Sequence, residues 1–140
     1  MVKVPLVSDE AASEEVRRVF DEIRAARGGD YVANFWRALA NDPSHLRALW
    51  DRVCEVMIEE RAGGLGALEK EMVYLAVAVS RGCTYCIHEH SAAARALGMS
   101  EAQFSDLLDV VAVASQTSET AQSLGVEVDA RFLARDDAGD

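Results

Sequence analysis

Apolar positions recur at helical spacing through most of the chain. Val16, Phe20 and Ile23 mark one face of "SEEVRRVFDEIRAAR", with Ser13 placed to cap it and "GGD" placed to end it. A short segment around "NFWRALA" follows. Asp42 and Pro43 then supply an N-cap and a first-turn proline for "SHLRALWDRVCEVMIEE", and "AGGLG" punctuates after it. The β-branched run in "ALEKEMVYLAVAVS" fits a strand or a helix. Its helical neighbours and the lack of a strand partner predict a helix buried on most sides. "TYCIHEHSAAARALG" reads as a helix ending at Gly98, and Ser100 with Gln103 forms a capping box that opens "SEAQFSDLLDVVAVASQTSETAQSLG". No internal repeat or interdomain linker interrupts the pattern. It predicts an all-α fold: one domain of about six helices over residues 1–140, with its core in 13–125 and a loose tail at 136–140.

Composition narrows what such a domain does. Half of the 140 residues are hydrophobic, as in a folded globular chain, and the formal net charge is −10. That acidity argues against nucleic acid and against anionic membranes as partners. The apolar run "MVYLAVAV" is too short to span a bilayer, and "MVKVPLVSDEAASEE" lacks an apolar signal region. Three cysteines, two of them close together, do not make a disulfide framework. They suit a reducing compartment, the cytoplasm, in which the close pair is catalytic or binds metal.

The chemistry concentrates in "SRGCTYCIHEH", residues 80–90. On a helix turning about 100° per residue, Cys83 and Cys86 lie about 60° apart and Cys86 and His90 about 40° apart, so the three share one face, with Cys83 in the first turn. His88 falls on another. A CxxC pair can close into a disulfide, and the start of a helix favours the thiolate. A histidine one turn beyond Cys86 can serve as its base, directly or through a water. Such an imidazole needs a partner to fix its tautomer, and Glu71 on the preceding apolar helix is the candidate. Glu59, Glu60 and Glu69 read as solvated helix ends.

Plainer readings hold elsewhere. Zinc would need Cys83, Cys86, His88 and His90, but one straight helix does not bring all four around a tetrahedron. Cys54 reads as a small apolar residue of an amphipathic helix and His45 as an exposed first-turn residue. Trp36 and Trp50 read as core or interface anchors. Tyr85 and His88 lie at the mouth of the site or on the surface. The glycines of "AGGLGALEKE" have no phosphate-loop lysine after them.

With eleven residues between Glu71 and a CxxCxxxH element formed by Cys83, Cys86 and His90, the sequence resembles the alkyl hydroperoxidase D family. That family is the peroxidase branch of the carboxymuconolactone decarboxylase-like superfamily. The upstream "GGDYVANFWRALANDPSHLRALW" is similar to the family's N-terminal signature, so the resemblance covers roughly residues 13–125. It implies a helical domain assembling as a homotrimer or homohexamer, and thiol peroxidase chemistry without flavin, haem or metal cofactor. It further implies that Cys86 is the peroxidatic thiol, Cys83 the resolving thiol, and His90 with Glu71 a proton relay. Hydrogen peroxide or an organic hydroperoxide is the implied substrate, and a lipoyl-bearing adaptor or a thioredoxin-type dithiol the implied reductant. Where some family members carry a histidine between the cysteines, this chain has Tyr85.

Three alternatives remain open on the sequence. One is a general disulfide oxidoreductase using the same CxxC. Another is a redox-responsive interaction protein whose CxxC switches assembly. The third is a decarboxylase-type lyase working through His90 and Glu71.

Overall fold

A computed structural model describes residues 3–133. They form helices α1 (Glu14–Arg27), α2 (Asn34–Leu39), α3 (Pro43–Val53), α4 (Ala67–Arg81), α5 (Thr84–Ala96), α6 (Glu101–Leu124) and α7 (Ala130–Leu133), and no strand occurs among them. The all-α expectation holds, with one short helix more than expected and the tail at 136–140 outside the described residues. The helices gather into two compact units, Met1–Gly64 and Leu65–Asp140.

Local chemistry sets most helix ends. Ser13 Oγ accepts from Val16 N, and Gly28 closes α1 at φ 71°, a left-handed conformation that glycine adopts without steric cost. The Asp42 carboxylate accepts from His45 N ahead of Pro43. Ser100 and Gln103 exchange the two bonds of a capping box, 3.1 Å and 2.9 Å. Beyond Val53, α3 does not continue as a regular helix. Residues Cys54–Ile58 form a π-helical turn in which Glu59 N bonds back to Cys54 O, so one extra residue is accommodated before the helix stops.

In the first unit, α1 buries Val16, Val19, Phe20 and Ile23 against Val32, Trp36, Leu46 and Trp50. The two tryptophan rings meet edge to face, centroids 5.3 Å apart, so both are core anchors. A buried indole needs an acceptor, and Glu22 Oε2 accepts a hydrogen bond from Trp50 Nε1 at 3.0 Å. The same carboxylate takes two bonds from Arg47, at 2.7 Å and 3.0 Å.

In the second unit, Leu75, Ala94, Met99 and Leu107 form the buried core, with Met72, Ala76, Ile87 and Phe104 packed around it. Here α4 corrects the expectation of burial on most sides. Val73 and Val77 are 54% and 56% exposed, because the packing of α5 and α6 covers only the face of α4 that carries Leu75 and Ala78. Residues 101–124 form one long helix, but only Leu107 on it is buried.

The Arg47 guanidinium holds the Glu22 carboxyl below its ordinary pKa, against a smaller opposing effect of burial. Its stabilising effect is therefore present above the unfolded carboxyl value, about 4.3, and is lost as pH falls through the lower folded value. Glu22→Ala is expected to cost about 1–2 kcal/mol at neutral pH, since it removes a half-exposed ion pair and strands a buried indole N–H. Urea denaturation of both proteins from pH 7 down to pH 3 checks this: the gap should narrow in acid.

Candidate active site

The site is built on the hairpin of α4 and α5. Gly82 ends α4 at φ 66°, and Cys83 N bonds back to Ala78 O at 3.1 Å, which closes the last turn of α4 and redirects the chain. Only Cys83 then separates the turn from α5. Glu71 lies eleven residues before Gly82 and His90 eight after it, about 16 Å and 12 Å of helix rise, so a hairpin brings their side chains to similar heights.

The two meet. His90 Nδ1 lies 2.6 Å from Glu71 Oε2, and the side chains are only 12% and 17% exposed. An ionised carboxylate has no proton to give, so Nδ1 donates and the lone pair of the neutral imidazole resides on Nε2. That is the tautomer a general base needs.

Cys83 and Cys86, both half-buried, are joined as a disulfide with a Cα–Cα distance of 5.3 Å. The expectation of Cys83 inside the first turn needs a correction of one position. Cys83 is the N-cap of α5, in extended conformation, and its Sγ accepts from Cys86 N at 3.3 Å. The sulfur thus fills the capping role usually taken by a serine or aspartate oxygen, because Gly82 ends the left-handed turn just before it. Cys86 and His90 both lie inside α5, one turn apart.

Tyr74 belongs to this site, and the sequence reading passes over it. Its ring stacks on the His90 imidazole with centroids 3.5 Å apart and planes inclined by 22°. Burial, then the charges of Glu89 and Glu71, raise the Tyr74 pKa, so the phenol stays protonated. Its position three residues after Glu71, on the same helical face, was the available signal. His88 is exposed, and its carbonyl accepts from Ser91 Oγ; Tyr85 is 42% exposed. The carboxylates of Glu59, Glu60 and Glu69 lie in exposed residues, and Glu69 accepts from Gly66 N at the start of α4. Among the described residues no group of three or more His, Cys, Asp or Glu side chains could hold a metal ion. No helix among them is long and apolar enough to cross a membrane.

His45 is exposed. Cys54 packs half-buried against the core of the first unit. Burial raises its thiol pKa, and Asp51, Glu22 and Glu59 push the same way. Alkylation of Cys54 by iodoacetamide should therefore reach half its maximal rate above pH ~8.5, the value of an unperturbed thiol. Peptide mass analysis across a pH series reads this directly.

The sequence profile of the carboxymuconolactone decarboxylase family matches residues 45–126. A crystal structure of the alkylhydroperoxidase AhpD core from Rhodospirillum rubrum is 44% identical in sequence, with a TM-score of 0.89 over 96% of this chain and 98% of that one. No curated protein gives a significant match.

Proposed function

Because the chain belongs to the carboxymuconolactone decarboxylase family, in its AhpD-like branch, we propose that it is a thiol-dependent peroxidase working through Cys83 and Cys86. The observation that carries this reading is the Glu71–His90 hydrogen bond beside a closed CxxC disulfide. A lyase would have use for the acid–base pair but none for the two sulfurs.

In the reduced enzyme His90 Nε2 takes the proton of the Cys86 thiol, and the Glu71 carboxylate stabilises the imidazolium that forms. The Cys86 thiolate attacks the distal oxygen of a hydroperoxide and the O–O bond breaks. Cys86 becomes a sulfenic acid, and the departing alkoxide takes the His90 proton and leaves as an alcohol, or as water from hydrogen peroxide. The Cys83 thiol then condenses with the sulfenic acid, releasing water and forming the Cys83–Cys86 disulfide. A separate dithiol reopens it by exchange and is itself oxidised to a disulfide. A lipoyl group on an adaptor or a thioredoxin-type protein fits that need.

The cytoplasm, where a CxxC pair can be recycled, is the matching compartment. The exposed apolar side chains of Val73, Val77, Val110 and Val113 support assembly into a homotrimer or homohexamer.

Peroxide consumption with a dihydrolipoyl or thioredoxin recycling system tests the activity. Cys86→Ser should abolish it. Cys83→Ser should allow one sulfenic acid to form on Cys86 and then stop. Trapping the sulfenic acid on Cys83 instead would reverse the two roles, and disulfide exchange without peroxide consumption would replace the peroxidase by a general oxidoreductase.

Glu71→Gln keeps the side-chain shape and should slow Cys86 oxidation by about 10- to 10³-fold, the scale of weakening a general base. His90→Ala should cost at least as much. The double variant should lose little more than the worse single one, because the two residues act as a unit. Rates of Cys86 oxidation against pH in the three variants decide this, and additive losses would reduce Glu71 to a buried carboxylate.

A further inference from the structure

One helix holds the His90 imidazole from two directions. Glu71 meets its edge, in the ring plane, through the 2.6 Å bond to Nδ1. Tyr74, three residues on, covers a face of the ring at 3.5 Å between centroids. The tyrosine is not an ordinary core ring, because it is 38% exposed. One face of it lies on the imidazole.

We propose that Tyr74 is a positioning residue for His90, whose aromatic face fixes the plane of the imidazole and stabilises its protonated form. The inference rests on His90 acting as the proton acceptor of Cys86. The physical basis is the ring quadrupole: the face of a phenol is negative, so it attracts an imidazolium more than a neutral imidazole. Being protonated, the phenol contributes this face without a charge of its own. Glu71 on α4 and Glu89 on α5 are the two carboxylates whose fields reach Tyr74.

Stacking also removes a freedom that the hydrogen bond leaves. A single Nδ1–O bond lets the imidazole swing about the bond axis, and a ring packed against one face stops the swing. Nε2 then keeps one direction, as a base must when it serves a thiol held one turn away on the same helix.

The test follows the His90 imidazole by NMR in the reduced protein as pH is varied, in the parent chain and in Tyr74→Phe, Tyr74→Leu and Tyr74→Gln. The exposed His45 and His88 serve as internal references. Leu and Gln should each lower the His90 proton affinity by about two- to fivefold, the size of a cation on an aromatic face near a surface. Phe, which keeps the face and loses only the hydroxyl, should leave it unchanged. Iodoacetamide labelling of Cys86 should shift to higher pH in the Leu and Gln variants alone. An unchanged His90 midpoint in both of those variants overturns the proposal, and so does a Phe variant that behaves like Leu. None of these readouts uses peroxide. A chain that shows the shifts yet consumes no hydroperoxide would overturn the peroxidase reading and leave the role of Tyr74 standing.

Discussion

The bond between His90 Nδ1 and Glu71 Oε2 is the constraint on which the second unit's chemistry depends. It ties α4 to α5 close to the core formed by Leu75 and Ala94. A hydrogen bond to a charged group is worth about 1.5–3 kcal/mol, more than most neutral bonds, and shielding from water keeps it from being screened away. It also decides the tautomer, and hence which ring nitrogen is basic. The contact that ties the two helices is thus also the one on which the proposed reactivity rests. The glycine turn at Gly82 makes the contact possible, since a residue with a Cβ is strained at φ 66°.

The two sulfurs have different surroundings although only two residues separate them. Cys83 sits at the N-terminus of α5, where unpaired N–H groups and the helix dipole favour negative charge. Cys86 lies inside the helix, where the help proposed for a thiolate comes from His90. A disulfide opens by attack on one sulfur and departure of the other as a thiolate, so each sulfur has a way to accept charge. In the proposed cycle, attack by a dithiol on Cys83 would send the charge to Cys86, where an imidazolium at His90 would neutralise it. The relay proposed to prepare Cys86 for oxidation would then also serve its release.

Much of this was legible because its signals are local. The caps at Ser13, Asp42 and Ser100 depend on residues within three positions, and all three form as the sequence predicts. The ambiguous "VYLAVAV" run is helical, as its neighbours implied. The features that escaped depend on longer range or on a shift of one residue. Cys83 caps α5 instead of entering it because Gly82 takes the left-handed position immediately before. The π turn at Cys54–Ile58 adds a residue to a pattern that reads as regular helix. Tyr74 looks like one more apolar residue until α5 places an imidazole on its ring. Both uncovered valines were invisible for a related reason, since periodicity cannot separate a helix packed on all sides from one packed on a single side.

The wheel of α4 explains why periodicity failed there. At about 100° per residue, Leu75 and Ala78 lie within about 40° of Glu71 and Tyr74 about 60° from it, whereas Val73 and Val77 lie about 160° and 120° from it. One face thus carries the relay and the core, and the opposite face carries exposed β-branched residues. A helix that only had to fold would place polar residues there. Valines at that position cost solubility unless another apolar surface covers them, which is what the proposed assembly provides. The covering surface would press on the back of the helix that holds Glu71 and Tyr74. In the proposed assembly, association would then stiffen the support of His90.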